Sequence, residues 1–555
     1  MAEQESVMEQ ARPEVALADD ALWYKDAVIY ELHVKAYFDE NNDGMGDFRG
    51  LTAKLDYVHD LGVNTIWLLP FYPSPMRDFG YDISDYCDVH PLFGTLADFD
   101  GLLAETHRRG MKLVLDFVPN HTSDEHPWFK ESRSSRASPK RNWYIWRDPK
   151  SGGGPPNNWL SNFGGPAWTL DPATGQYYYH AFLREQPDLN WRNPEVRRAM
   201  HDVLRFWLDR GVDGFRVDVI WHVAKDEQFR DNPRNPDYKP GQNPHHEFLA
   251  TYTADQPGIH DIIAEMRTVL DAYPSRMMVG EIYLPLERLV TYYGEGGAGV
   301  HMPFNFQLVT MKWDARQIGE AIHHYEKSLP SYGWPNWVLG NHDNPRIASR
   351  VGKAQARVAA MLLLTLRGAP TMYYGDEIGM HDVPIPRERV QDPFEKNVPG
   401  IGLGRDPERT PMQWDAGPNA GFAPPGAKAW LPIAEDYAKV NVAAQRDDPK
   451  SILTLTRRLI ALRRSQPALS VGTYQPLDAP DDLIAYVRTE PGSGARFLVA
   501  LNLASRPHMF WPTPGGVRAG GRVVLSTHLD REGIPAGAEV PLRADEGLVV
   551  LLDKR

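Results

Sequence analysis

Eight short apolar runs recur along the chain, each ending in polar or charged residues and most followed by a segment with helical apolar spacing. They are AVIYELHV at 27–34, NTIWLLP at 64–70, KLVLDFV at 112–118, DGFRVDV at 213–219, MMVGEIY at 277–283, MPFNF at 302–306, NWVLGNHD at 336–343 and PTMYYGDE at 370–377. Several are apolar almost throughout, which suits a parallel sheet covered on both faces. Helical patterns fill the intervals at 51–62, 96–110, 194–211 and 451–465, with Gly62 and Gly211 placed where a helix ends most easily in a left-handed residue. The pattern predicts an α/β fold, a (β/α)8 TIM barrel. An open doubly wound sheet has the same alternation of elements. The barrel is preferred because Asp116, Asp218, Glu281 and Asp343 fall at or near the C-terminal ends of different strands, where barrels assemble their sites.

The intervals are unequal. The barrel is expected over 1–120 and 186–468, interrupted by an inserted small domain at 121–185 that is rich in Gly, Pro, Trp and Asn and contains the strand-like QYYYHAF. A second long segment, 381–448, separates the eighth strand from its helix and is expected to act as a lid or wall. Beyond 468 the periodicity changes to short alternating strands, LIAYVRT, RFLVALNL, RVVLST and GLVVLL, which predict a C-terminal antiparallel β-sandwich at 469–555.

Composition narrows the function classes. The chain has 555 residues and a formal net charge of −13. No clustered run of cations favours nucleic acid. No apolar stretch is long enough to span a bilayer, so neither nucleic acid nor membrane is expected as a partner. The first residues lack a basic segment followed by an apolar one, and Cys87 is the only cysteine, so a cytoplasmic setting without disulfides is expected. Oligomeric state is not legible, and a homo-oligomer is left open.

The candidate chemistry lies in the strand-end acids. Cleaving a glycosidic bond takes two carboxyl groups, one ionised and one protonated. Asp218 follows Arg216 by two residues, so both side chains point to one side of the strand, and the guanidinium is expected to keep Asp218 ionised. Glu281, in less polar surroundings, is expected to hold its proton. Asp343, next to His342, has no covalent task but can bind sugar hydroxyls. In DENNDGMGD the oxygen-bearing positions Asp39, Asn41, Asp43, Met45 (through its carbonyl) and Asp47 alternate, a spacing able to wrap a hard cation or simply to form a solvated turn.

The blocks DFVPNH (116–121), GFRVDVI (214–220), GEIY (280–283) and GNHDN (340–344) resemble the α-amylase family of glycoside hydrolases, family 13, within its oligo-1,6-glucosidase, α-glucosidase and trehalose synthase branch. The resemblance runs from about residue 22 to the C-terminal sandwich. It implies that Asp218 is the nucleophile, Glu281 the acid/base and Asp343 the stabiliser of the distorted sugar. It implies that His121 and His342 bind the terminal glucose, that Arg216 orients the nucleophile, and that Tyr81 and Asp82 lie beneath the ring. Arg409 is then expected to pair with Asp82 and plug the pocket, with Arg405 the second candidate. The same resemblance implies a structural Ca²⁺ or Mg²⁺ at the 39–47 loop and no cofactor for the chemistry.

The expected activity is that of a retaining exo-acting α-glucosidase on small α-glucosides. QPDLN at 186–190 and Val219 resemble the α-1,6-accepting type, whereas WYKDAVIYELHVKAY and WLLPFYPSPMRDFGYD look equally like trehalose synthases. An α-glucosyltransferase or a maltose/trehalose isomerase using the same site is the alternative. A catalytically silent binding protein on the same barrel would be expected to lack one of the acids, and all three are present.

Overall fold

A computed structural model of the chain describes residues 21–512 and 520–554. Residues 1–20, most of the N-terminal segment read above for targeting, lie outside them, as do 513–519 and 555 of the predicted sandwich.

All eight apolar runs form strands of one closed parallel barrel. These are β1 (Ile29–Leu32), β2 (Thr65–Leu68), β3 (Lys112–Phe117), β4 (Gly214–Val217), β5 (Met277–Gly280), β6 (Met302–Asn305), β7 (Asn336–Val338) and β8 (Ala369–Tyr373). Neighbours in sequence are neighbours in the barrel, and β8 closes it by pairing with β1, Ile29 opposite Thr371. The strands are buried along nearly their whole length because the barrel interior covers one face and the helices the other. The helices Leu55–Leu61 and Pro194–Asp209 end at Gly62 (φ 97) and Gly211 (φ 100), in the conformation glycine tolerates best. Ser451 caps the last barrel helix, Ile452–Ser465, by accepting from the Thr454 N–H.

Between β3 and β4 the chain makes a small antiparallel sheet of Trp146–Arg147, Gln176–Tyr179 and Trp168–Asp171. After β8, residues 381–448 form short helical turns and coil. The two insertions meet: Phe163 packs against Phe394 at 5.1 Å between ring centres, and the Arg405 guanidinium lies 4.9 Å from the Phe163 ring. They roof one end of the barrel. The four C-terminal runs form strands within a six-stranded antiparallel sheet accompanied by a two-stranded one. Arg488, on a strand of that sheet, ties it to the barrel by donating from Nη1 to the Thr365 and Leu469 carbonyls, while Arg463 Nη1 joins two barrel helices by donating to the Leu364 and Leu366 carbonyls.

The approach of β4 to β5 depends on Gly214, where a Cβ would press into the backbone carbonyl of Met277. Gly214→Ala is therefore expected to lower stability by about 1–3 kcal/mol, read as a lower thermal midpoint. Activity should fall with it, because the same strand pair carries Arg216 and Asp218.

Candidate active site

Asp116 and Arg216 are direct cross-strand partners on β3 and β4. Both are buried, so the guanidinium sits in low dielectric and requires anions around it. It finds three. Nη1 donates to Asp116 (2.8 Å to Oδ1) and to Asp218 Oδ1 (2.7 Å), and Nη2 lies 2.8 Å from Glu281 Oε2. The two-residue spacing of Arg216 and Asp218 does bring their side chains together. Asp218 and Glu281, immediately after β4 and β5, rest on the two terminal nitrogens of one guanidinium and so stand close together.

Val219 separates the strand from the turn that follows and adopts φ 36, ψ 43, a left-handed conformation that is costly for a β-branched residue. That conformation directs its N–H at Glu281 Oε2, 2.8 Å away. Glu281 Oε2 is thus engaged by both Arg216 and the Val219 N–H, and Oε1 by neither.

Burial pushes the Asp218 carboxyl well above its ordinary range; Glu281 and Asp116 add to the rise, and Arg216 opposes it. Burial likewise raises Glu281, against Arg216. Arg216 therefore does not by itself hold Asp218 low, as expected from the sequence. Three carboxyl groups share one cation, and burial raises all three. Asp343 differs: burial raises it, but His342, Arg405, Arg409 and Arg216 together bring it below the ordinary carboxylate range. It lies in the loop after β7, beyond the strand end at Val338.

Around these acids, the Tyr81 hydroxyl donates to Asp116 Oδ2 (3.0 Å) and lies 2.8 Å from His342 Nε2. His342 Nδ1 lies 2.7 Å from Glu31 Oε1. His121, beside the Tyr81 carbonyl (3.2 Å) and Gln186 Nε2 (3.2 Å), is pushed down to about 4 by burial and is neutral. The structure thus gathers Asp218, Glu281, Asp343, Arg216, Tyr81, His121, His342 and Arg409 at one rim.

It does not place Asp82 there. That carboxylate is fully buried in its own loop, accepting from Ser74 Oγ (2.9 Å), the Arg77 N–H (3.0 Å) and the Asp78 N–H (3.1 Å). The expected Arg409–Asp82 pair is corrected accordingly. Arg409 Nη2 donates to Asp343 Oδ1 (2.7 Å) and its Nε to the His342 carbonyl (2.7 Å). The acid that meets an arginine is Asp78, and the arginine is Arg405 (2.8 Å), which also contacts Asp392 (2.7 Å) and Asp343 (3.1 Å). Gln186 Nε2 completes the junction by donating to Asp78 Oδ2 (2.9 Å). Asp78 precedes Tyr81 by three residues, and only that spacing hinted at it.

At the 39–47 loop, Asp39 accepts from the Asn42 and Gly44 N–H groups (2.7 Å each), Asn41 from Asp43, Asp43 from Met45, and Asp47 from Glu40, Asn41 and Gly50. These bonds close the loop without a cation. Among the described residues no group of three or more His, Cys, Asp or Glu side chains converges as a metal-holding cluster. The donors are all hard oxygens, and each bonded oxygen except Asp47 Oδ2, which accepts twice, keeps a second lone pair.

The family profile described as "Alpha amylase, catalytic domain" matches residues 31–472. A probable alpha-glucosidase of Rhizobium meliloti is 42% identical over 489 residues, covering 85% of this chain and 88% of that one. An oligo-1,6-glucosidase of Parageobacillus thermoglucosidasius is 40% identical, covering 88% and 92%. Among solved structures, the alpha-glucosyl transfer enzyme XgtA superposes with a TM-score of 0.89 at 39% identity, covering 96% of this chain and 99% of that one. The trehalulose synthase MutB from Pseudomonas mesoacidophila does so with 0.86 at 36%, covering 96% and 99%. The barrel, its strand-end acids and these similarities agree: the chain belongs to the α-amylase family of glycoside hydrolases.

Proposed function

We propose that the protein is a retaining, exo-acting α-glucosidase that removes terminal α-linked glucose from small α-glucosides. The observation that carries this reading is the placement of Asp218 and Glu281 on adjacent nitrogens of one buried guanidinium, in a pocket closed behind Asp343 by Arg405 and Asp78. A polymer threading through such a pocket would have to displace that ion-pair network, whereas a chain end fits against it.

In this reading Glu281 Oε1 protonates the glycosidic oxygen while Asp218 Oδ2, free of Arg216, attacks the anomeric carbon. The C–O bond breaks, the leaving sugar departs with the proton, and an Asp218 ester forms. Glu281, now a carboxylate, takes a proton from water; the water oxygen attacks the anomeric carbon, Asp218 leaves, and glucose is released with its α configuration. Asp343, held ionised by its two arginines, and neutral His121 and His342 bind the ring hydroxyls and strengthen as it flattens.

The structural neighbours that transfer or isomerise glucosyl groups favour a second reading, in which a sugar intercepts the ester instead of water. An interconversion of maltose and trehalose falls within it. The lone free thiol of Cys87 suits a reducing, cytoplasmic setting. Ca²⁺ or Mg²⁺ bracing the 39–47 loop through Asp39, Asn41, Asp43, Asp47 and the Met45 carbonyl is a further proposal, supported by the oxygen donor set alone. The ion would supply rigidity there and take no part in the chemistry.

Time-resolved analysis of isomaltose, maltose, trehalose and sucrose turnover tests the assignment. α-Glucose is expected as the first anomer released, and initial β-glucose would overturn retention. Trehalose accumulating from maltose would replace hydrolysis by isomerisation at the same site. Glu281→Gln should lower kcat by about 10²–10⁴ on unactivated glucosides, with a much smaller loss on an aryl glucoside whose leaving group needs no proton. Because Glu281 works protonated and Asp218 ionised, and burial raises both carboxyls, kcat/KM should be bell-shaped, falling on the acid side as Asp218 takes up its proton already above the ordinary aspartate range and on the alkaline side only beyond the ordinary glutamate range. Arg405→Leu strands Asp78 and Asp392 and should lower stability by about 3–5 kcal/mol, read as a lower thermal midpoint, and raise KM for terminal glucosides. Asp82→Asn should change KM far less, since Asp82 meets only its own loop. For the loop cation, removal by a chelator should lower the thermal midpoint and Ca²⁺ should restore it; an unchanged midpoint would mean that the loop is held by its own hydrogen bonds.

A further inference from the structure

Glu31 is a charged-type residue in the middle of β1, fully buried, and no step of the mechanism above uses it. Its Oε1 lies 2.7 Å from His342 Nδ1 and accepts from the His342 backbone N–H at 3.2 Å; Oε2 has no hydrogen-bond partner. A bare carboxylate oxygen, fully buried and unpaired, is costly, whereas a neutral acid with its carbonyl oxygen left over is much less so.

The proton inventory around His342 is determined by its neighbours. Asp116 meets the Arg216 guanidinium with both oxygens (2.8 and 3.1 Å), so it is ionised and can only accept. The Tyr81 hydroxyl has one proton and gives it to Asp116, so toward His342 Nε2 it can only accept. The other atom near Nε2 is Asp343 Oδ2 at 3.4 Å, a carboxylate held ionised by Arg405 and Arg409. With acceptors alone facing it, Nε2 must carry a proton. If the ring is neutral, Nδ1 is then an acceptor, and the only donor available to it is Glu31.

We propose that Glu31 is a positioning residue: it keeps a proton on Oε1, donates it to Nδ1 of His342, and so locks His342 as an Nε2–H donor facing the sugar. The proposal rests on the reading that His342 binds the terminal glucose. Burial raises Glu31 and lowers His342, which favours the neutral pair over a carboxylate and an imidazolium. The other groups facing the pair, Arg216, Arg405 and Arg409 against Asp116 and Asp343, with Tyr81 and Tyr373 alongside, balance closely enough to leave burial in control. Without Glu31 the ring could move its proton to Nδ1 and turn a lone pair toward Asp343, Tyr81 and the sugar hydroxyl. That would convert an attraction into a repulsion and loosen the ring.

The test compares Glu31→Gln with Glu31→Met, alongside ¹⁵N NMR of the histidine side chains, with His342 assigned by its loss in His342→Gln. A glutamine amide donates to Nδ1 as the neutral acid does, so E31Q should rescue most of the wild-type kcat/KM. E31M, similar in size but without a donor, should lose on the order of 10²-fold. Wild-type His342 should appear protonated at Nε2 alone across the active pH range, with that tautomer kept in E31Q. The proposal is overturned if E31Q falls as far as E31M, which would mean an ionised Glu31, or if neither falls. It is also overturned if wild-type His342 carries its proton on Nδ1 alone, a result that does not depend on either Glu31 variant folding. Persistence of turnover in Asp218→Asn would instead sink the glucosidase reading and leave the tautomer result standing.

Discussion

One buried guanidinium organises this molecule's chemistry. Arg216 projects from β4 into a barrel mouth where water cannot compensate it, and the chain surrounds it with Asp116, Asp218 and Glu281. The result is overcompensation, with three acids around one cation. A second set of charges is better matched: Arg405 and Arg409 both converge on Asp343, with Asp78 and Asp392 behind Arg405. The excess of acid is therefore concentrated where Asp218 and Glu281 stand, while Asp343 is firmly neutralised. A glycosyl transition state develops positive charge at the anomeric carbon, and such a preorganised field favours it more than the neutral ground state. The same crowding that favours the cationic ring accompanies the upward shift of the cluster's carboxyls, the direction an acid catalyst requires.

Holding such a cluster calls for irregular backbone in a regular frame. Val219 is the clearest case, a β-branched residue at φ 36 directly after Asp218. Its neighbours make the strain tolerable, since β4 is hydrogen-bonded on both sides and buried throughout. The strained N–H then serves as a fixed donor for Glu281. Barrel rigidity thus becomes side-chain placement: Asp218 and Glu281 are oriented from consecutive strand ends and not from mobile loops.

The parts that were legible in sequence are those that follow a period. Parallel strands covered on both faces must be apolar along their length, so all eight were visible, and Arg216 and Asp218 share a side because a strand alternates. The parts that were not legible lie where no period applies. Asp78 and Asp82 sit in one irregular loop, and the sequence does not say which carboxylate turns inward; Asp82 is consumed by Ser74 and two backbone N–H groups, which frees Asp78. Arg405 and Arg409 flank a single short turn, Asp406–Glu408, and both reach Asp343, so spacing alone ranked Arg405, the residue that meets Asp78, second to Arg409. Glu31 passed unnoticed because a lone acid in an apolar run reads as part of the strand, although that exception to the pattern was itself the signal.

Similarity to both hydrolases and glucosyl transfer enzymes follows from where these constraints end. In the proposed reading everything described around Arg216 and Asp343 acts on the sugar that becomes the ester, and that half of the reaction is common to hydrolysis, transfer and isomerisation. The difference has to arise outside it, where the departing sugar or the incoming water sits. There the structure changes character: Tyr283 lies two residues past Glu281, substantially exposed, stacked on Phe306 at 4.3 Å, near Trp221 at 5.6 Å and within reach of Asn344. A flat apolar surface of this kind retains a sugar ring by its faces and excludes water from part of the mouth without specifying a linkage. In the proposed reading the ion-pair network favours the ester, and the residence time of a sugar on that aromatic surface decides what resolves it.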